Sequence, residues 1–310
     1  MKAAVVTAFD TPPKYLDFPD PVARGKDEVA VDVLAAGLHP RVRSQASGSH
    51  YTSTGALPLV PGVDAVVRDP KGRIRYAVLG DTTLGTMAER TVIELDRSVV
   101  LPADVDPVLM AAAMNPAMSS WVALRRRIRF GRRQRVLILG ATGNAGRLAI
   151  QVAKGLGAAQ VIAAGRDQGR LGELKALGAD ETCTFDQLTV AAEVDVVLDY
   201  VWGPPAARAM ADILTAREDR SRQLTWIEIG SVAGLEAPIP SAALRSARLE
   251  IVGSGIGSVP GRDFAKEIPR LAAAVGKHAL DVRARPVPLA RVEQAWGDAA
   301  DTTDRIVLVP

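Results

Sequence analysis

Apolar and polar positions follow two rhythms along this chain. The first part reads as strands and turns. AAVV (3–6) and EVAVDVLAAG (28–37) are β-rich, with proline and glycine punctuating the segments between them. From about Pro107 the pattern becomes helical, as DPVLMAAAMNPAMSSWVALRRR. Asn115–Pro116 predicts an interruption there, because a proline inside a helix removes a backbone donor. Then the chain alternates. RVLIL (135–139) predicts a strand, GNAGRLAIQVAKGLG a helix, AQVIAAG (159–165) a strand, and QGRLGELKALG (168–178) a helix ended by glycine. VDVVLDY (194–200) predicts a strand and PPAARAMADILTA (204–216) a helix, and QLTWIEIG (223–230) and LEIVGS (249–254) are further strands. Such alternation predicts an α/β fold with a doubly wound parallel sheet covered on both faces. The last stretch predicts a helix near 262–275, a strand near 280–285, a helix near 290–300 and a final strand RIVLV (305–309).

Length and composition bound this picture. The chain has 310 residues, too many for one core of typical size, so two domains are expected. Hydrophobic residues make up 48% and charged ones 24%, an ordinary globular mix. MKAAVVTAFDTPPKY holds no apolar run long enough for a signal peptide or a membrane span. Cys183 is the only cysteine, which excludes an intrachain disulfide and a multi-cysteine metal site. A cytoplasmic protein without a membrane partner is the expectation. The net charge of +3 gives little reason to expect a nucleic-acid partner.

The stretch LILGATGNAGRLAIQVAKGLG (137–157) carries the first chemistry. Gly140, Gly143 and Gly146 lie between a buried strand and an amphipathic helix, and a second strand follows. Glycines there let the N–H groups of Gly140, Ala141, Thr142, Gly143, Asn144 and Ala145 approach a pyrophosphate, and the helix N-terminus adds a favourable dipole. The alternative is a tight strand–helix turn that binds nothing. An NAD site places an acid at the end of the second strand. Here the strand ends AAGRD, with Gly165 and Arg166 at the tip and Asp167 one step beyond. Arg166, with Arg170 one helical turn later, can pair with a 2′-phosphate, which points to NADPH. The competing assignment has Asp167 on an NAD ribose and Arg166 in solvent.

With these motifs in hand the chain resembles the medium-chain dehydrogenase/reductase superfamily, in its zinc-independent quinone oxidoreductase (zeta-crystallin-like) group. The likeness runs through MKAAVVTAFDTPPKYL, EVAVDVLAAGLHP, LVPGVDAVV, NPAMSSWVAL, LGATGNAGRLAIQVAK, VDVVLDYVWG, IEIGSVAG and DRIVLVP. It implies a GroES-like β domain (1–114), a Rossmann NADPH-binding domain (115–260) and a C-terminal segment (261–310) returning to the first, with the active site in the cleft between domains. Zinc-dependent relatives carry a ligand cysteine, a Gly-His-Glu segment and four structural cysteines. Here GLHPRVRSQASG has no cysteine, and Val63 stands between Gly62 and Asp64 where the histidine would be. His39 and Asp64 alone fall short of three protein ligands, so no metal is expected. The segment between Asp64 and Met87 is short for the family.

The resemblance also implies roles. Tyr51, in SGSHYTSTG, takes the place of a tyrosine that faces the nicotinamide and can donate a proton. The alternative is a cleft-lining residue without chemistry. His39 stands where relatives often have asparagine and is a candidate polar or proton-donating partner of the substrate. Ser119 is implied near the cofactor, the alternative being a helix kink with Ser119 and Ser120 bonded to backbone, and Met118 and Trp202 are implied as pocket walls, with core positions as the alternative. Gly230, Ser231 and Val232, and Ser254, Gly255 and Ile256, follow strands, where open α/β sheets bind ligands. Relatives use these loops along the nicotinamide half. Arg305 takes the place of a basic residue that reaches the cofactor, with a strand-edge surface arginine as the alternative. LEIVGSG (249–255) implies a homodimer built across an edge strand.

Two other classes compete. RRRIRFGRRQR (125–135) holds seven arginines in eleven residues. It reads as a helix C-terminus and solvated loop, where cations suit the helix dipole. A non-catalytic NADPH-binding protein with a nucleic-acid or regulatory role is the second hypothesis. A short-chain reductase needs a lysine four residues after a tyrosine. Tyr15, Tyr51, Tyr76 and Tyr200 are followed there by Pro19, Gly55, Gly80 and Pro204, which excludes it. The expected function is NADPH-dependent, zinc-independent hydride transfer to a quinone or other α,β-unsaturated carbonyl.

Overall fold

In the computed structural model, which describes residues 1–255, 257–276, 280–299 and 302–310, the N-terminal strands are antiparallel. β1 (Lys2–Val5) pairs with β2 (Lys14–Asp17). β3 (Glu28–Gly37) is followed by a one-sided turn of helix, α1 (Pro40–Ala46), which opens on a proline pre-set for a first helical position. β4 (Asp64–Arg68), β5 (Ile74–Val78), β6 (Arg90–Glu94) and β7 (Ser98–Val100) complete the N-terminal part. Alternation explains β3: Val31, Val33 and Ala35 are buried while Asp32 is exposed.

α2 (Pro107–Val122) runs unbroken through Pro116, so the interruption expected at Asn115–Pro116 does not occur. Met110–Met114 and Pro116–Met118 are all buried. That burial offsets the cost of about 3 kcal/mol for proline inside a helix. A π-helical turn, Ala123–Arg127, follows.

The next elements are β8 (Arg135–Leu139), α3 (Asn144–Gly155), β9 (Gln160–Ala164), α4 (Gln168–Gly172), β10 (Glu181–Cys183), β11 (Val196–Asp199), α5 (Gly203–Ala216), β12 (Leu224–Glu228), α6 (Ser241–Ser246), β13 (Leu249–Gly253) and α7 (Gly261–Ala265). Six strands form a parallel sheet in the order β10-β9-β8-β11-β12-β13. This is the doubly wound Rossmann order, and it reverses between β8 and β11. Leu137, Leu139, Val197 and Trp226 pack on one face against Ala206, Ala209, Met210 and Ile213 of α5. α3 buries Leu148, Ala149, Val152 and Ala153.

The chain ends with α8 (Ile268–Gly276), β14 (Ala284–Pro288), α9 (Val292–Asp298) and β15 (Arg305–Val309). The single helix expected near 262–275 is thus two, and the strand expected near 280–285 starts later. β15 joins β3 antiparallel and β14 adds to β15 in parallel, giving the order β14-β15-β3-β4-β5-β7 with β6 also on β3. Val292, Ala295 and Trp296 of α9 pack with Val31, Val33, Ala65 and Val67 in its core. Two compact units result: Met1–Asn115 with Ala265–His278 and Val282–Pro310, and Pro116–Phe264 with Ala279–Asp281.

Candidate active site

The glycine turn occupies the reversal point of the parallel sheet. Gly140 holds φ +81°, open to glycine at little cost. A Cβ on Gly146 would lie 2.4 Å from the Gly140 carbonyl oxygen and 2.6 Å from the Ala141 Cα. Glycine there lets α3 close onto the turn. Gly143 is the N-cap of α3 and offers no side-chain cap to the first-turn N–H groups of Asn144 and Ala145. The turn therefore presents uncapped helix donors at the sheet's switch point, which fits an anionic pyrophosphate.

At the tip of β9, Gly165 lies beside Thr142, and Arg166, Asp167 and Arg170 are exposed. Asp167 is the N-cap of α4. Its carboxylate accepts the Arg170 N–H at 3.2 Å and pairs with the Arg170 guanidinium at 3.4 Å. The acid that an NAD site would turn toward a ribose is engaged in capping, between two arginines. These residues fit a dinucleotide with an additional phosphate.

Ser119, Tyr200 and the strand-end loops belong to the same unit. The Ser119 hydroxyl donates to the Pro116 carbonyl at 2.7 Å and lies 3.0 Å from the Tyr200 hydroxyl. Burial pushes the Tyr200 phenol up to about 12, against the pull of Ser119 and Ser120. Asp199, fully buried at the end of β11, accepts from the Val201 and Trp202 N–H groups at 2.8 and 2.9 Å and from the Trp226 indole at 2.8 Å. These bonds hold Trp202 at φ +49°, an unusual position for an aromatic residue. Gly230 and Ser231 are half-buried after β12, Val232 is exposed, and Ser254 is buried beside exposed Gly255. Ile256 lies outside the described residues. Met118 is buried in α2. Of the arginine run, Arg127 donates to the Gly253 and Ser258 carbonyls at 2.7 and 2.9 Å, and Arg125 lies over the Trp121 ring. Part of that run is structural.

The other unit holds a buried polar cluster. His39, 2% exposed between β3 and α1, has its Nε2 2.9 Å from an Asp64 carboxylate oxygen. The Tyr76 hydroxyl donates to the other Asp64 oxygen at 2.9 Å. Thr86 donates to the Asp64 backbone carbonyl at 2.9 Å. Burial lowers the His39 pKa below its ordinary value; Asp64 opposes this, and Arg305 and Arg41 add to it. Burial, then Asp64, push Tyr76 well up. Arg305 is buried on β15, with its guanidinium 3.4 Å from the Leu38 carbonyl and pulled down to about 10 by burial. It is no surface arginine, and the charge of Asp64 favours its cationic form.

Tyr51 lies on the loop after α1, 72% exposed, with its ring centroid 4.2 Å from that of His50. Sequence reasoning passed over His50 and its supports. Arg41 pairs with Asp81 and donates to the Thr52 hydroxyl at 2.8 Å, which lies 2.8 Å from His50 Nδ1. The Thr52 N–H also donates to that nitrogen, at 3.2 Å. Burial, then Arg41, take His50 down to about 4, so it is neutral near pH 7. Asp64–Tyr76 and Arg41–Asp81 join residues far apart in sequence. Only the β4–β5 register, which sets Val66 against Tyr76, brings the first pair together.

A zinc ion does not fit this donor set. His39 Nε2 is taken up by one Asp64 carboxylate oxygen, Tyr76 takes the other, and Val63 contributes no ligand. Among the described residues no three His, Cys, Asp or Glu side chains gather at metal distance, and no helix is long and apolar enough to cross a membrane.

Comparison with known proteins agrees with this layout. The chain is 29% identical over its full length and the full length of an Emericella nidulans protein named a probable NADPH-dependent quinone reductase. It is 30% identical to the tomato 2-methylene-furan-3-one reductase, over 57% of this chain and 50% of that enzyme. The quinone oxidoreductase of Thermus thermophilus, solved alone and with NADPH, superposes with a TM-score of 0.85 at 26% identity, covering both chains entirely. No protein-family profile matches. The two units and these similarities are those of a medium-chain dehydrogenase/reductase, and over its whole length the chain is similar to quinone reductases of that superfamily. It is an oxidoreductase.

Proposed function

We propose that the protein is an NADPH-dependent, zinc-independent reductase of a quinone or another α,β-unsaturated carbonyl. The observation that carries this reading is the glycine turn at the sheet's switch point, with Arg166 and Arg170 at the neighbouring strand tip and Asp167 engaged as a helix cap. Gly140, Ala141, Thr142, Gly143, Asn144 and Ala145 hold the pyrophosphate. Gly165, Arg166 and Arg170 hold the 2′-phosphate. Ser119, Gly230, Ser231, Val232, Ser254 and Gly255 line the nicotinamide half, and Arg305 adds positive charge. When bound, NADPH supplies the hydride.

The chain's own residues supply the remainder. Tyr51 donates the proton that the reduced oxygen requires, an acid role typically worth about 10²–10⁴ in rate. His39 is the polar residue that meets the reacting oxygen once that oxygen is reduced. His50, held by Thr52 and Arg41, stacks against Tyr51 and limits where its phenol can reach. The protein is a cytoplasmic homodimer in this reading. The edge position of β13, with Leu249, Ile251 and Val252 only half-buried, supports the dimer.

The test is NADPH oxidation by the purified protein against an ortho-quinone, a para-quinone, a simple enone and an aldehyde. Turnover with the quinones or the enone, and little with the aldehyde, is expected. Turnover with the aldehyde alone contradicts the assignment.

A further inference from the structure

His39 raises a question of direction, because a histidine can offer a hydrogen bond or take one. An ionised carboxylate only accepts, so the 2.9 Å contact between His39 Nε2 and Asp64 is an Nε2–H donation. Tyr76 donates to the second carboxylate oxygen at 2.9 Å, and Thr86 holds the Asp64 backbone carbonyl at 2.9 Å, so the carboxylate cannot turn away. The proton of the neutral ring therefore sits on Nε2. Nδ1 carries a lone pair, is buried, and meets no protein partner among the described residues.

The groups facing the ring favour its neutral form. Asp64 on β4 attracts a proton. Burial, Arg305 on β15 and Arg41 on α1 oppose one, and the balance falls below the ordinary histidine range. Tyr76 on β5 is itself pushed up and stays protonated. A buried unpaired acceptor costs free energy unless a ligand or water meets it.

We propose that Asp64, braced by Tyr76, is a positioning residue that fixes His39 as the Nε2–H tautomer, so that Nδ1 accepts a hydrogen bond from the hydroxyl of the reduced product. This inference rests on the reductase reading. A quinone or enone presents only acceptor oxygens and offers Nδ1 nothing. After hydride and proton have been added, the oxygen bears a hydrogen that Nδ1 can receive. The interaction is thus made only once the oxygen carries its hydrogen, and it adds nothing to binding of the oxidised substrate. His39 neither gives nor takes a proton; the acid is elsewhere.

The protein has three histidines, His39, His50 and His278, which makes nitrogen NMR of histidine-labelled protein tractable. Loss of one signal set in His39→Asn assigns the ring. At neutral pH, His39 should show a protonated Nε2 and a bare Nδ1. Titrating hydroquinone into the NADP-loaded protein should shift Nδ1 toward the hydrogen-bonded position. Its dimethyl ether should not, and should bind about tenfold more weakly, the loss expected for one hydrogen bond. Asp64→Asn presents an N–H to Nε2, moves the proton to Nδ1, and should bring the two affinities together. Tyr76→Phe should loosen the tautomer preference without reversing it. A wild-type Nδ1–H tautomer, an imidazolium, or equal binding of hydroquinone and its ether would overturn the proposal. The wild-type measurements decide even where Asp64→Asn does not fold. They also separate the two readings: a protein that reduces no quinone yet shows the shift fails only as a quinone reductase.

Discussion

Asp167 caps α4 through the Arg170 N–H and pairs with the Arg170 guanidinium at 3.4 Å. The consequence is a basic strand tip. Arg166→Ala should weaken NADPH binding about tenfold to a hundredfold, the range for a lost charge-assisted hydrogen bond, and leave NADH binding nearly unchanged. Fluorescence titration of both nucleotides checks this. Equal losses would remove Arg166 from the 2′-phosphate.

Gly146→Ala should abolish cofactor binding. The new Cβ would meet Gly140 and Ala141 backbone at 2.4–2.6 Å, and backbone cannot rotate aside. Overpacking of this kind costs about 1–3 kcal/mol and moves the turn. Thermal unfolding with and without NADPH reads both effects: a lower Tm, and loss of stabilisation by the nucleotide. Retained stabilisation would mean that the turn does not cradle the pyrophosphate.

Tyr51→Phe should lower kcat about a hundredfold or more and leave Tm unchanged, because the side chain is 72% exposed. Unchanged turnover for every accepted substrate would assign the proton to water.

Asp69 gives a pH signature in stability. Burial works against its charged form, but Arg75, Arg73 and the backbone N–H of Lys71 outweigh it and hold the carboxyl at about 2. A pKa below the unfolded value of about 4 adds stability above that value, and the gain is lost as pH falls through 2. Asp69→Asn should therefore be less stable than wild type at neutral pH, with the gap closing between about pH 4 and pH 2. Denaturant unfolding across that range measures it. A gap independent of pH would assign the loss to packing.

Local pattern carried most of the nucleotide-binding unit. β8, α3 and β9 announce themselves because a period-two apolar run, a glycine triplet and a helical stripe are each local. β10, three residues long, is too short for any periodicity. α2 shows the opposite failure: Pro116 is a breaker locally, and dense burial overrides it. The polar cluster was only half legible. His39 and Asp64 stand out in sequence, but Tyr76 and Arg305 reach them through strand pairing, and the Arg41–Asp81 pair, which steadies Thr52 and His50, spans forty positions. Tertiary contacts of this kind leave no periodic trace.

The most direct measurement is steady-state NADPH oxidation with the best quinone acceptor, repeated with NADH and after exhaustive treatment with a metal chelator. The account predicts turnover that survives the chelator and is at least tenfold more efficient in kcat/KM with NADPH than with NADH. Activity that disappears with the chelator, or that favours NADH, would contradict it.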